Sequence, residues 1–515
     1  MRRTMRKGRT ALCLLSALLF TLSGCGNWEL PDLDPWADLR GQYAHNEKGN
    51  KPVPLQEFVL PCILYESTDP ITCPDGAQLT LSRLLYEGLF RLDAQFTPQP
   101  CLASAYSYDP ATFTYTITLR DDAVFSDGAA VTARDVVNTL QRARYSERYG
   151  ARLAQAASIT ASGDSVSIRL SRDNRRFIAL LDIPIVRSGT ERQSFPIGSG
   201  LYCYVNDHGV EYLAPNSYRD GYETLPLQRI GLKACKSSDA AAYAFSGREA
   251  HLLFGDLTAT AQGSLVPSGS CTDACSTVMQ YVSFNCARPP LDDAALRRAL
   301  AVGIDRSDCV QSGLLGHASA AADPVPPCAA LCPSDAPDAY DVAAYTAALT
   351  AAGYGREQPV ELTLLVNSEN SFKCAVAEEI AHQLSVGGIS VTVSALRWEA
   401  YCEALQSGDY DLCLGETKLT ADWDLTSLLK GDLLYSGFVG GELPDALDAY
   451  LQSDDAAAGE TFAALCAVLR EKAPFTPVCF KNVSLLLPSG TVTGTAPTAG
   501  DPFAGFADWK ILMVS

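Results

Sequence analysis

The sequence predicts an α/β protein with at least two lobes, and two observations carry this prediction. The chain has 515 residues, which is more than one hydrophobic core usually organises. Residues 361–414 alternate strand and helix patterns, which is typical of a largely parallel sheet covered by helices on both faces. The expected strands are 361–366, 389–395 and 409–414, and the expected helices are 374–386 and 398–407.

The N-terminal segment has the features of a secretory signal peptide. Basic residues precede an apolar run at 11–22 that is too short to cross a bilayer core of about 30 Å. The string LSGC at 22–25 is similar to a bacterial lipobox, in which the cysteine is lipidated and becomes the mature N-terminus. We therefore expect a lipoprotein signal over 1–24, a lipid anchor at Cys25, and a polar, proline-bearing tether over 25–56. A plain cleaved signal is the alternative.

The chain is acidic, with 40 Lys and Arg against 59 Asp and Glu and a formal net charge of −19. Binding to nucleic acid needs clusters of Lys and Arg for the phosphates, so the composition argues against that function class. An acidic surface supports solubility, and the alternative is that it attracts cationic ligands.

The sequence contains eighteen cysteines. Apart from Cys13 in the signal and Cys25, they are scattered singly, and single buried thiols behave like small apolar side chains. The pairs at 271/275 and 328/332 have neither the spacing nor the nearby histidines of a zinc site. The sequence leaves open whether all these thiols stay free or at least one disulfide forms, and it predicts no metal site.

Residues 79–140 are the region around which the first lobe is organised. Apolar residues at helical spacing predict a helix over 79–90. Residues 113–120 alternate apolar and polar side chains, which predicts a half-buried strand. Thr132, followed three positions later by Asp135, predicts the capped start of a helix.

The order of motifs in this region resembles a known family. YEGLF at 86–90, the strand, FSDG at 125–128 and VTARDVV at 131–137 resemble the signature of the ABC transporter extracellular solute-binding proteins of family 5, the peptide- and nickel-binding lipoproteins of the dipeptide and oligopeptide type. IGSGLY at 197–202 is similar to the family's glycine-rich GTGPY segment.

A third stretch resembles the point where the chain of such proteins crosses into the second lobe. There, YVSFN at 281–285 is followed by two prolines and a helix expected over 293–304. The helical spacing of the leucines in this helix predicts one buried face, with Arg297 and Arg298 left in solvent.

The resemblance implies a periplasmic-binding-protein-like type II fold, in which two α/β lobes enclose a cleft and an extra subdomain sits on the first lobe. Lobe I with this small subdomain is expected over 57–275, lobe II over 276–478, and a return to lobe I over 479–515. Two crossings between the lobes would permit hinge closure over a ligand.

The resemblance also implies ligand-binding residues. Asp422, Trp423 and Asp424 resemble the family's acidic cleft loop, where an aspartate pairs with the amino group of a bound peptide. Asn367 stands where dipeptide-binding members carry an arginine for the peptide carboxylate, and the nearest cation is Lys373. Longer peptides or a non-peptide ligand therefore fit better than strict dipeptides.

Further candidates for the cleft are less specific. Trp398 and Tyr401 could form part of its wall, although an aromatic pair at this helical spacing is more often part of a core. Glu66, Ser67 and Asn285 are candidates through the resemblance alone.

Taken together, the resemblance implies a monomeric, lipid-anchored receptor on the extracytoplasmic face of the bacterial cell membrane. It would capture oligopeptides or peptide-like solutes by closing its lobes and deliver them to the permease subunits of an ABC importer, without a cofactor. The alternatives are a receptor for nickel or a metal chelate, and a receptor for a signalling peptide without transport. An enzyme would need a nucleophile and base such as Cys309 and His317, and the chain has no GxSxG, HExxH or P-loop motif.

Overall fold

The computed structural model describes residues 52–63, 67–73, 76–259, 269–334, 340–430 and 436–514. The predicted signal peptide, the lipidation site Cys25 and the candidate Glu66 lie outside these residues.

The described residues form an α/β protein with several separate sheets. In chain order the strands are β1 (Val59–Cys62), β2 (Phe90–Leu92), β3 (Pro98–Pro100), β4 (Ala103–Asp109), β5 (Thr114–Leu119), β6 (Ala156–Ser162), β7 (Ser165–Leu170), β8 (Tyr202–Asp207), β9 (Val210–Pro215), β10 (Ile230–Ala234), β11 (Leu253–Gly255), β12 (Gly269–Phe284), β13 (Ala318–Ala320), β14 (Val360–Asn367), β15 (Ile389–Leu396), β16 (Leu412–Lys418), β17 (Phe475–Pro488), β18 (Val492–Thr493) and β19 (Lys510–Ile511). The longer α-helices are α1 (Gly76–Leu85), α2 (Ala133–Arg144), α3 (Ser238–Ser246), α4 (Ala294–Val302), α5 (Val342–Ala351), α6 (Ser371–Ser385), α7 (Trp398–Ser407), α8 (Glu442–Gln452) and α9 (Ala458–Lys472).

Lobe I is built on a four-stranded sheet in the order β1-β10-β9-β8. Strands β1 and β10 pair in parallel, and the other neighbours are antiparallel. Leu81 and Leu84 of helix α1 lie three positions apart, on one face, and are fully buried in a core that also contains Phe58 and Tyr202. The same core includes Trp509 of the C-terminal segment.

The small subdomain of lobe I contains a second antiparallel sheet, in the order β4-β5-β7-β6. Tyr115, Ile117 and Leu119 of β5 are buried and alternate with exposed residues, as the sequence predicts. The capped start of helix α2 is also confirmed. The Thr132 hydroxyl accepts a hydrogen bond from the Asp135 amide at 3.4 Å, and the Asp135 carboxylate accepts one from the Thr132 amide at 3.1 Å.

Lobe II contains most of a seven-stranded sheet in the order β11-β17-β12-β16-β14-β15, with β13 against β17. Strand β14 pairs in parallel with β15 and β16, and helices α6 and α7 connect these strands. The strand and helix alternation predicted from the sequence is therefore confirmed. Strand β16 starts at Leu412 instead of residue 409, because the Asp411 carboxylate accepts a hydrogen bond from the Thr363 amide at 2.8 Å.

Strands β12 and β17 pass from one lobe to the other. They pair with each other over most of their length, next to β11 at one end and next to β13 and β16 at the other. Their register shifts between Cys275 and Met279, and again between Gln280 and Tyr281. The lobe boundaries expected near 275 and 478 both fall within these two strands.

The helix predicted over residues 79–90 ends earlier, at Leu85, and Phe90 begins strand β2. Leu84 and Leu85 pack in the core of lobe I, whereas Leu89 and Phe90 pack in the core of the subdomain. Because the two cores are separate, one continuous helix cannot serve both.

The prediction that Arg297 is solvated is wrong, because its side chain is buried. Its guanidinium donates to four backbone carbonyls, those of Leu291 at 2.7 Å, Asp292 at 3.2 Å, Lys472 at 2.6 Å and Ala473 at 2.9 Å. Two of these carbonyls lie at the end of helix α9, where carbonyls have no partner within the helix. Arg297 therefore replaces solvent as their hydrogen-bond donor.

Two further findings concern the described residues only. None of their helices combines the length and apolarity that crossing a bilayer requires. Their cysteines form no disulfide bond.

Candidate functional site

A cavity of about 490 Å³ lies where the two lobes meet. Helix α1 and residues 148–152 line it from lobe I, residues 418–421 line it from lobe II, and residues 276–278 and 481–483 of the crossing strands form its floor. A cavity between lobes that share two crossing strands can change its width when the lobes move.

The side chains around the cavity carry an excess of positive charge. The cations are Arg83, Arg148, Arg152, Lys418 and Lys481, and the carboxylates are Asp182 and Asp256. This balance is opposite to that of the whole chain, whose net charge is −19. The acidic composition of the protein therefore does not extend into its cavity.

Two of the cations share one carboxylate. Arg152 forms an ion pair with Asp182, and the Arg83 guanidinium lies 3.8 Å from the same carboxylate. Burial works against ionisation of Asp182, but Arg152 and Arg83 lower its pKa overall. Asp182 therefore stays ionised and neutralises only one of the two guanidinium groups.

Lys481 is buried in the floor of the cavity and has carboxylate partners. Its ammonium group forms an ion pair with Asp256 and lies 3.7 Å from the Glu416 carboxylate. Glu416 is also 3.8 Å from the ammonium of Lys373. This part of the cavity is therefore close to electrically balanced.

Arg148 and Lys418 account for most of the charge excess. Arg148 donates to the backbone carbonyl of Cys73, and among the described residues no carboxylate lies within ion-pair distance of Arg148 or Lys418. Withdrawal from water, together with the positive charges of Arg152 and Arg148, lowers the pKa of Lys418. The two side chains leave a positive potential in the cavity that an anionic group could neutralise.

Apolar side chains form the rest of the wall, among them Phe96 and Leu419. The predicted site residue Trp423 lies behind Phe96, with the ring centres 5.4 Å apart in an edge-to-face arrangement. Trp423 is 2% exposed and does not itself line the cavity. It supports the wall instead.

The predicted acidic residues Asp422 and Asp424 form contacts between the two lobes. Asp422 is 1% exposed and accepts hydrogen bonds from the Asn174 amide at 2.8 Å and the Thr420 hydroxyl at 2.5 Å. Burial and the neighbouring Asp424 raise the pKa of Asp422. Asp424 forms an ion pair with Arg172. Thr420 lines the cavity just before this loop, so the loop itself lies beside the site.

The other predicted residues lie away from the cavity lining. The Asn367 side chain accepts from the Glu369 amide at 2.7 Å, and the Asn285 amide donates to the carbonyls of Gly408 at 3.1 Å and Tyr410 at 3.0 Å. Ser67 is exposed, and its hydroxyl accepts from the Asp69 amide at 3.1 Å.

Trp398 and Tyr401 stack on each other with ring centres 5.8 Å apart, and the Tyr401 hydroxyl lies 3.1 Å from the Cys413 sulfur. Tyr401 is buried in a small cluster with Tyr410, and Trp398 is 55% exposed. A ligand-binding role for these two residues, and for Asn367, Asn285 and Ser67, stays a prediction.

The sequence alone does not identify the cations of the cavity as site residues. One local signal was available, because the string RARYSERYGAR at 142–152 is rich in arginine within an acidic chain. It supplies Arg148 and Arg152. Lys418 has no comparable signal, since it is the last residue of the otherwise ordinary strand β16 and only the fold brings it opposite Arg148.

Two lobes, two shared crossing strands and a cavity between the lobes define the class of a two-lobed solute-binding protein. A family model described as "Bacterial extracellular solute-binding proteins, family 5 Middle" matches residues 97–429. The chain belongs to this family, and it is a solute-binding protein of an ABC importer. The type II periplasmic-binding-protein fold expected from the sequence is confirmed.

Individual relatives are more distant. The chain is 27% identical over 351 residues to the glutathione-binding protein GsiB of Salmonella typhi, which covers 64% of this chain and 68% of that protein. Its fold is similar to the periplasmic murein tripeptide-binding protein MppA in an unliganded open form, with a TM-score of 0.74, 21% identity and coverage of 90% and 99%. It is also similar to a nickel ABC transporter protein from Bacillus halodurans, with a TM-score of 0.72, 20% identity and coverage of 86% and 97%.

Proposed function

We propose that this protein is a lipid-anchored receptor that captures an anionic peptide or peptide-like solute outside the cytoplasm and passes it to the permease subunits of its ABC importer. The charge of the cavity carries the proposal, because five cationic side chains face two carboxylates in an otherwise acidic chain. Field lines concentrate in a cleft of one sign of charge, so such a cavity favours solutes of the opposite sign.

A small peptide with more carboxylates than amino groups has the matching chemistry. Glutathione has two carboxylates and one ammonium group at neutral pH, and the name of the relative GsiB makes it the first compound to test. Arg148 and Lys418 are suited to bind its carboxylates, because among the described residues neither forms an ion pair with a carboxylate, and the charge of Asp182 acts on Lys418 only from beyond ion-pair distance. These two cations would take over the role of the arginine that binds the peptide carboxylate in dipeptide-binding members of the family, where this chain has Asn367.

We further propose that Asp422 or Asp424 binds the ammonium group of such a peptide. The loop follows directly on Thr420 and Ala421, which line the cavity. Either aspartate would then exchange its bond with Asn174 or Arg172 for one with the solute. If Asp422→Asn and Asp424→Asn variants both bind the solute as the wild-type protein does, this assignment is wrong.

Thermal unfolding in the presence of matched compounds tests the charge preference. The panel is glutathione, glutathione diethyl ester, in which both carboxylates are masked, and triglycine, which has one carboxylate and one ammonium group. A ligand at 100 times its Kd adds about 2.7 kcal/mol, which raises the Tm by several degrees. We expect a rise with glutathione and none with its ester. Equal effects of the two, or no effect of any anionic peptide, would contradict the proposal.

An anionic metal chelate is the second candidate, because its carboxylates would meet the same cations and a nickel transporter protein has a similar fold. The same unfolding assay with nickel citrate and with nickel chloride separates the two candidates. A rise in Tm with the chelate and with none of the peptides would support a receptor whose solute is a metal chelate instead of a peptide.

The proposed anchor rests on the string LSGC at residues 22–25. Lipidation of Cys25 predicts that the protein expressed with its signal partitions into the detergent phase and incorporates labelled fatty acid. A Cys25→Ser variant would do neither. If the wild-type protein is found in the aqueous phase, the anchor is wrong, although the solute proposal is unaffected.

A further inference from the structure

Three side chains of metal-ligating types meet beside the crossing strands, and we name them the Cys-Asp-His cluster: Cys271, Asp273 and His317. One ligand atom from each, the sulfur, a carboxylate oxygen and a ring nitrogen, lies within 4.8 Å of the other two. His317 Nδ1 is 3.0 Å from one oxygen of Asp273, and the Cys271 sulfur is 3.5 Å from the other. The cluster does not line the cavity between the lobes.

The fold holds these side chains in place from behind. The Ser484 hydroxyl donates to the Asp273 carboxylate at 2.6 Å, and the Asn482 amide donates to it at 3.3 Å. The backbone carbonyl of His317 accepts a hydrogen bond from the backbone N–H of Asn482 at 3.0 Å, whereas the donor to Asp273 is the side-chain amide of Asn482. Hydrogen bonds that orient the ligating side chains are what metal sites use around their ligands.

The chemistry of the donors selects the kind of ion. A thiolate, an imidazole and a carboxylate together favour a divalent transition metal such as Zn²⁺, Ni²⁺ or Co²⁺, whereas Ca²⁺ and Mg²⁺ prefer oxygen ligands alone. Three protein ligands leave a position for water. Cys271 and Asp273 are exposed, so an ion can reach the cluster from solvent.

We propose that Cys271, Asp273 and His317 form a binding site for a divalent transition-metal ion. Cys271 and Asp273 lie on the part of β12 that precedes the register shift at Cys275, on the side of β11. His317 comes directly before β13, which pairs with β17 at residues 479–481 on the other side of that shift. A bound ion would therefore tie together two segments that flank the point where both crossing strands change register.

A titration with Co²⁺ tests the site without any solute, so its result is independent of the proposed transport function. Under reducing, oxygen-free conditions we expect one Co²⁺ per chain and a thiolate-to-cobalt charge-transfer band in the near ultraviolet. A Cys271→Ser variant should lose this band, and His317→Ala should weaken Co²⁺ binding at least about tenfold. The matched control is Cys402→Ser, on helix α7, which should bind as the wild type does.

The alternative is a hydrogen-bonded cluster that binds no metal. A wild-type protein without the charge-transfer band at one equivalent of Co²⁺ would overturn the proposal. So would a band that survives Cys271→Ser, or cobalt absorption that lacks the thiolate band. If Cys271→Ser does not fold by circular dichroism, His317→Gln serves as the second variant, and unchanged affinity in it would also overturn the proposal.

Discussion

Arg172 and Asp424 form an ion pair that joins the small subdomain of lobe I to lobe II. The same Asp424 carboxylate accepts a hydrogen bond from the Gln155 amide at 2.8 Å, and the neighbouring Asp422 accepts one from Asn174 at 2.8 Å. The acidic loop that the sequence assigns to the solute thus also holds the subdomain against lobe II. Solute binding at this loop and contact between the lobes would use the same carboxylates.

Replacing Arg172 by alanine should lower the free energy of unfolding by about 1–2 kcal/mol, because a mostly buried carboxylate loses its cation. The partial exposure of Arg172 keeps the effect below that of a fully buried pair. Urea unfolding followed by circular dichroism measures it. The control is Arg169→Ala, an exposed arginine of β7, for which we expect a change within about 0.5 kcal/mol.

A double substitution checks the cause. If the cost arises from the unpaired carboxylate, adding Asp424→Asn to Arg172→Ala should recover part of the lost stability. Additive losses in the double variant would mean that the two side chains act independently.

Arg148→Ala and Lys418→Ala should each weaken binding of an anionic solute about tenfold, since each removes one cation that forms no ion pair with a carboxylate among the described residues. Calorimetric titration with the solute found in the unfolding assay provides the measurement. The loss should shrink at high salt, which screens the remaining charges. Arg169→Ala is again the control, and unchanged affinity in both cavity variants would exclude these two residues from the site.

The buried His251 should make the stability of the protein depend on pH, with a lower free energy of unfolding in mild acid. Its Nδ1 accepts a hydrogen bond from the Val59 amide at 2.9 Å, and burial lowers the pKa of His251 below its ordinary value of 6.5 despite the opposing effect of Glu57. Protons then bind preferentially to the unfolded chain below pH 6.5, so stability falls as the pH drops and the effect vanishes above that value.

The measurement is the urea midpoint at pH 7.5 and pH 5.5. A His251→Asn variant keeps a hydrogen-bond acceptor but does not titrate, so it should lose less stability than the wild type between the two pH values. Parallel losses in the two proteins would show that His251 does not contribute.

Gly200→Ala should destabilise the protein by about 3 kcal/mol or more, since overpacking against backbone is not relieved by a side-chain movement. A Cβ at this position would lie 2.2 Å from the Leu84 carbonyl oxygen. Gly459→Ala is the matched control, because a Cβ there meets nothing within 4 Å and alanine favours the helix. The urea midpoint measures the difference in stability between the two variants, and the fraction of each variant recovered as soluble protein supports it. Equal midpoints for the two variants would contradict the steric argument.

Local patterns predicted the elements that local interactions determine. Helix α7 has the predicted bounds because Gly408, in a left-handed conformation, ends it, and the capping box at Thr132 starts α2 as expected. The predictions were wrong where contacts with distant parts of the chain determine the structure. Phe90 packs in the core of the subdomain and lies in a strand instead of the predicted helix. Arg297 is buried because its side chain donates hydrogen bonds to the carbonyls at the end of α9.

The candidate site was less predictable for the same reason. Arg148 and Lys418 lie far apart in the sequence and face one cavity only after two lobes have assembled, so no spacing rule connects them. His317 likewise meets Cys271 and Asp273 only through the pairing around β17. The family resemblance predicts a ligand-binding role for the acidic loop at 422–424, and that role stays a prediction; no local pattern indicates the contacts of this loop with Asn174 and Arg172.

Strand β17 has a consequence for how the protein is made. It pairs with β11 and β12, although helices α4 to α9 lie between it and them in the sequence. The seven-stranded sheet stays incomplete until residues 475–488 have been synthesised, whereas the β1-β10-β9-β8 sheet of lobe I needs no strand after Ala234. Contacts so distant in sequence form slowly. We therefore expect the four-stranded sheet of lobe I to form before the sheet of lobe II while the chain is being made.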